Sequence, residues 1–143
     1  MESGYLFAIG AAVTWGLLYA IDQKILYTVD PLPLLFVNAV IGLVVMLPFL
    51  FFSNGSIKEV INSGKINITL IVFTVLLGTL ANYFIFSGIK SLNASAASII
   101  EISYPFFVVL FSYLLFRSTP NISFFIGGAL IFLGSFIIIK FAA

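Results

Sequence analysis

Five runs of apolar residues, each long enough to cross a bilayer, leave this chain few ways to fold. They cover about residues 4–27, 32–52, 66–89, 94–116 and 122–141. A hydrocarbon core of about 30 Å is spanned by about 20 apolar residues in helical form. Helices are required, because an open strand in lipid leaves its backbone donors and acceptors unpaired. A membrane barrel needs alternating segments of about ten residues, and the runs do not alternate. The sequence predicts an all-α integral membrane protein with five transmembrane helices, a single multi-pass domain over residues 1–143.

The remainder is too small for a soluble catalytic domain. Of the residues, 62% are hydrophobic and 8% charged, against about 45–50% and about 25% in soluble domains. The longest connection, Ser53 to Lys65, has room for one interfacial turn or short helix. There is no cysteine and no histidine, which excludes disulfides, cysteine nucleophiles and imidazole acid–base chemistry. No metal site, cofactor or catalytic residue is expected. The net charge of +1 gives no argument for nucleic acid, and no such partner is expected. The start, "MESGYLF", lacks the basic region of a secretory signal and reads as a retained helix.

An odd number of spans places the two ends of the domain on opposite sides of the membrane. Lys58, Lys65 and Arg117 then share one side, and Lys24, Lys90 and Lys140 the other. Orientation follows an excess of Lys and Arg in cytoplasmic loops, and here there is none. The balance points to dual topology, with the chain pairing with an inverted copy of itself. Many secondary transporters place a substrate site between inverted repeats.

In the first span, Gly4, Ala8, Ala12, Gly16 and Ala20 recur every four residues, a spacing that lets helix backbones approach closely. Trp15, Tyr19 and Asp22 share one face. Trp15 and Tyr19 lie deep enough to line a cavity, whereas Asp22 and Lys24 fit an interfacial anchor at a helix end. The second span carries Asn38 and, near its far end, Pro48, where a bend is expected. In the third, Thr74, Gly78 and Asn82 step along one face beside Tyr83. An amide in lipid seeks a partner on a neighbouring helix, so Asn38 and Asn82 serve either as structural glue or as ligand contacts. In the fifth, Gly127, Gly128 and Gly134, with Ser135, form a flat strip for helix packing.

The fourth span holds Glu101, four residues before Pro105. Read as one helix at about 100° per residue, Ala97, Ser98, Glu101, Tyr104, Pro105 and Ser112 form a small and polar stripe opposite Ile99, Phe106, Phe107 and Leu110. An acid near the middle of a span costs about 2.5–3.5 kcal/mol on insertion scales. Such residues mark substrate or proton pathways by default. Glu101 is therefore the candidate for proton coupling. The competing structural role is a protonated carboxyl bonded to Tyr104 or Asn82.

Taken together, "TWGLLYAIDQKIL", "PLPLLF", "SAASIIEISYPFFVVLFSYLLF" and "IGGALIFLGSFIII" resemble, in order and spacing, one EamA-type domain of the drug/metabolite transporter superfamily. The resemblance covers nearly the whole chain. It implies a five-helix half of a ten-helix inverted-repeat transporter fold, in a prokaryotic cell membrane, with small metabolites or drug-like compounds as substrates. An arginine common near Asn38 and a Gly-Glu pair common at Arg117 and Ser118 are not present here, so those roles are not carried over.

The functional expectation is a secondary transporter, coupled to protons through Glu101 and acting as an antiparallel homodimer in membrane lipid. Trp15, Tyr19, Asn38, Asn82, Tyr83, Glu101 and Tyr104 are the expected lining of its substrate site. The alternative is a non-transporting membrane subunit or a component that flips a lipid-linked substrate. An intramembrane enzyme is not expected.

Overall fold

The computed structural model describes residues 2–52, 57–119 and 121–141. Among these, every regular element is helical: α1 (Glu2–Leu26), α2 (Pro31–Phe52), α3 (Ile57–Asn62), α4 (Lys65–Ser91), α5 (Ala94–Glu101), α6 (Tyr104–Phe116) and α7 (Ile122–Phe141). Five stretches are long and apolar enough to cross a membrane, with α5 and α6 together making the fourth. Of the Ser53–Lys65 connection, residues 53–56 lie outside the described part, as does Pro120. The rest of that connection supplies the short helix α3.

The helix limits follow local chemistry. Pro31 opens α2, where its missing N–H costs nothing and its fixed φ suits the first turn, and the Asp30 carbonyl accepts from Leu34 N. Gly64, at φ 93°, makes the turn between α3 and α4, a left-handed backbone that glycine adopts without a Cβ penalty. Arg117 ends α6 in the left-handed region at φ 55°, with its N–H bonded to the Tyr113 carbonyl. Its guanidinium lies 6.0 Å from the centre of the Tyr113 ring. Pro48 lies within α2, which continues through it.

The fourth span departs from the sequence reading. It is not one helix with a bend at Pro105 but two helices, broken at Ile102 and Ser103. Pro105 has no N–H for the Glu101 carbonyl. The chain tightens upstream of it: Ser103 N bonds the Ile100 carbonyl and Phe106 N the Ser103 carbonyl, each three residues back. The polar stripe drawn through Glu101 by helical arithmetic therefore ends at the break.

The chain divides into two compact units, Met1–Lys24 with Gly88–Ala143, and Ile25–Ser87. In the first, α7 packs against α5 and α6. Ser135 of α7, 4% exposed, is the peg: its Oγ donates to the carbonyl of Ile99 at 2.9 Å and approaches that of Ile131 at 3.0 Å. Ser103 turns its hydroxyl toward the Ser135 Oγ at 3.5 Å. The Ile99 carbonyl is one that the tightened turn leaves without its usual partner, Ser103 N. A backbone carbonyl withdrawn from water needs a donor, and α7 provides one to this part-buried group.

In the second unit several polar side chains of α4 bond to their own helix, while the Asn67 amide reaches back to the Ser63 carbonyl before it. Thr69, Thr74 and Thr79 donate to the carbonyls of Lys65, Ile71 and Val75. The Asn82 amide donates to Gly78 at 2.9 Å. The Asn82 amide thus draws a partner from its own backbone.

Candidate functional site

The first unit joins two of the residues singled out in the sequence. Tyr19 of α1 donates its hydroxyl to Oε1 of Glu101, the last residue of α5, at 3.0 Å. Tyr19 is 8% exposed and Glu101 is half-buried. The Trp15 ring leans on Tyr19 with centroids 5.5 Å apart. The three side chains form one chain of contacts from the indole to the carboxyl.

Their meeting is arranged by a second link near the end of α1. The first N–H groups of a helix have no partner within it. For α5, the Ala94 N–H is taken by Oε1 of Gln23 at 2.7 Å, and the Ala96 N–H by Asn93 Oδ1 at 2.8 Å. Gln23 pairs with the start of α5 and Tyr19 with its end, so α1 and α5 run antiparallel. Small residues complete the turn: a Cβ added at Gly88 would stand 3.6 Å from that of Ala97, so the end of α4 lies against α5. Ala94 and Ala97 are buried there.

The break after Glu101 bears directly on its environment. α5 stops at the acid, and one carbonyl of its last turn, that of Ile99, is held by α7 through Ser135. Glu101 thus stands at the tip of a short helix fixed at both ends, by Gln23 and by Ser135. A neutral hydrogen bond adds about 0.5–1.5 kcal/mol and one to a charged group about 1.5–3. Against an insertion cost of about 2.5–3.5 kcal/mol, the Tyr19 bond offsets part of the burden of a charged Glu101 and leaves the rest. Protonation, hydration or a bound cationic group removes the remainder.

The other expected lining residues are placed differently. Tyr104 opens α6 at 59% exposure and is not the partner of Glu101. Asn38 of α2 is exposed, and Tyr83 of α4, 40% exposed, leans on Phe84. Asn38, Asn82 and Tyr83 belong to the second unit, whereas Trp15, Tyr19, Glu101 and Tyr104 belong to the first. A cavity of about 270 Å³ within the first unit lies between α6 and α7, bounded by Pro105, Phe106, Gly127 and Gly128 among others. Its wall contains none of the seven.

Asp22 differs from the interfacial anchor that its place near a helix end suggests. It is 5% exposed, and its Oδ2 is buried without a hydrogen-bond partner. Gln23 and Ser135 join the site through tertiary contacts that no local sequence pattern signals. The spacing of three between Tyr19 and Asp22 puts both on one face.

The sequence matches the family described as EamA-like transporter family over residues 2–140. The chain belongs to this family. The comparisons with curated proteins and with solved structures gave no match. Membership in the EamA-like family, with five apolar spans, makes the chain a multi-pass integral membrane protein of a transporter family. It agrees with the five-helix half of an inverted-repeat fold expected from the sequence motifs.

Proposed function

We propose that the chain is a secondary carrier for small metabolites or drug-like compounds, coupled to protons at Glu101 and working as an antiparallel pair of identical copies in a prokaryotic cell membrane. The observation that carries this reading is the Tyr19–Glu101 hydrogen bond inside an apolar span. A carboxyl with one oxygen held by a phenol and only half buried can gain and lose a proton without leaving its place. Carboxyls in such settings are the usual proton relays of membrane carriers. The role is binding and movement, and no enzymatic step is proposed.

Pairing of two copies rests on other observations. The family fold is built as inverted halves, and the loop charges are balanced between the two sides. Gly127 and Gly134 add a further argument. A Cβ at either would meet nothing within 4 Å among the described residues, which leaves room for a close neighbour at both. Small residues in membrane helices serve close approach, and a second copy is the partner we assign. The substrate site would then form between copies from Trp15, Tyr19 and Glu101 together with Asn38, Asn82, Tyr83 and Tyr104.

The deciding experiment is uptake into proteoliposomes of a panel of amino acids, sugars and lipophilic drugs, each measured over a series of pH values. The wild-type chain is expected to accelerate at least one compound in response to a proton gradient, and Glu101→Gln to lose that response. A Glu101→Gln variant that transports with an unchanged pH profile removes Glu101 from coupling.

A further inference from the structure

Glu101 uses only part of what it can accept. Its Oε1 takes the Tyr19 hydroxyl at 3.0 Å. Its Oε2 takes no hydrogen bond among the described residues, and no lysine or arginine among them pairs with the carboxyl. That second oxygen is not sealed in the interior, as Oδ2 of Asp22 is. An ionised carboxylate accepts through both oxygens, so half of Glu101 stands open at the surface of the unit.

The aromatic side chain beside it is open in the same way. Trp15 leaves 47% of its surface exposed, although its ring meets that of Tyr19 at 5.5 Å between centroids, inclined by 48°. Trp15 and Tyr19 are one turn apart on α1, about 6 Å along the axis. Tyr19 joins the two openings. Its ring supports the indole, and its hydroxyl holds the carboxylate.

Both openings call for the same kind of ligand. A charged group inside a span is normally paired, and the pair for a carboxylate is a cation. An indole face is the best of the aromatic side chains at attracting a cation, more so away from water. An anion is repelled by Glu101, and a neutral compound leaves its charge uncompensated. A hard metal ion fits poorly. Calcium takes about six to eight oxygen ligands, and no group of three or more His, Cys, Asp or Glu stands together among the described residues. An organic cation needs no such cage, and its apolar body suits an indole set in an apolar span.

We infer that the substrates of this site are organic ammonium ions: compounds with one positive nitrogen on an apolar body about one aromatic ring across. The nitrogen rests against Oε2 of Glu101, and the body lies on the indole of Trp15. Tyr19 keeps the two at the spacing that the ligand bridges. Binding makes and breaks no covalent bond. One negative and one positive charge cancel, which removes the burden of an ionised acid in the span. This inference rests on the reading of Glu101 as the working carboxyl of a substrate site, and it adds the class of compound taken there and a task for Trp15.

The test is titration calorimetry on the purified wild-type chain in detergent, with benzyltrimethylammonium and with neopentylbenzene. The second compound has the same shape, with carbon in place of the charged nitrogen. The cation is expected to bind about tenfold more tightly or better, the order of a desolvated contact between a cation and an aromatic face. The chain has a single tryptophan, so its fluorescence reports Trp15 alone and is expected to change as the cation binds. Equal binding of the two compounds, binding of the cation without a change at Trp15, or the same change with sodium chloride at equal concentration overturns the inference. Glu101→Gln is expected to lose the preference for the cation, and a preference that survives overturns the site. Should that variant not fold, Trp15→Leu supplies the second test: cation binding about threefold weaker or worse is expected, and an unchanged affinity overturns the inference. Binding requires no proton gradient, so a failure of Glu101 in coupling is seen separately, in the pH profile of transport by E101Q.

Discussion

The hydroxyl of Ser135 on α7 lies 2.9 Å from the carbonyl oxygen of Ile99, two residues before Glu101. This bond crosses 36 residues of sequence and fixes the point at which α5 ends. Without it, the part-buried carbonyl freed by the tight turn would lose its donor. Replacing Ser135 by Ala is expected to destabilise the purified protein by about 1 kcal/mol, the usual net contribution of one hydrogen bond. Ser135→Thr keeps the hydroxyl and should recover part of the loss. Denaturation of each variant in detergent measures the difference, and an S135A protein as stable as wild type would show that the carbonyl finds another donor.

The Tyr19–Glu101 bond predicts coupling between two substitutions. Tyr19→Phe keeps the ring against Trp15 and removes only the donor. Combined with Glu101→Ala in a double-mutant cycle, it should give an interaction energy of about 1 kcal/mol. Additive effects would mean that the bond contributes nothing to stability.

Gln23 is expected to act as a capping group supplied from another helix. Gln23→Ala should cost about 1 kcal/mol, the typical loss when a helix start gives up a side-chain acceptor. Gln23→Glu retains an oxygen for the Ala94 N–H and should be milder. Hydrogen exchange at Ala94 reads the effect locally: faster exchange in Gln23→Ala is expected, and an unchanged rate would assign the cap no role.

The open faces at Gly127 and Gly134 separate folding from assembly. A Cβ at either meets nothing within 4 Å in the chain. Gly134→Leu should therefore preserve the thermal stability of the single chain while shifting a dimer toward monomer, read by mass measurement in detergent. A variant that stays dimeric moves the contact away from this strip.

Orientation can be tested directly, because the chain has no cysteine of its own. Single cysteines at Ser91 and Asn62 should each be labelled from both faces of intact and inverted membranes if copies insert in both directions. Labelling of each from one face alone would rule out the inverted homodimer.

What could be read from sequence was what lipid dictates. The apolar runs had to become helices because the bilayer supplies no partner for an open backbone. Pro105 signalled a disturbance in the fourth span, yet the break falls at Ile102 and Ser103. Its position depends on which carbonyl α7 can satisfy, and Ser135 is 32 residues from Ser103. Tyr19 and Glu101 were each singled out, but their pairing needed α1 and α5 side by side, which Gln23 arranges. The position of Asp22 near a helix end suggests the interface, but burial is decided by neighbours rather than by distance along a helix.

The bonds within α4 carry a consequence for movement. Thr69, Thr74, Thr79, Asn82 and Ser87 each satisfy themselves on their own backbone. Turning this helix about its long axis breaks none of those five contacts. α4 is, in that sense, a bearing: these five side chains carry their partners round with them.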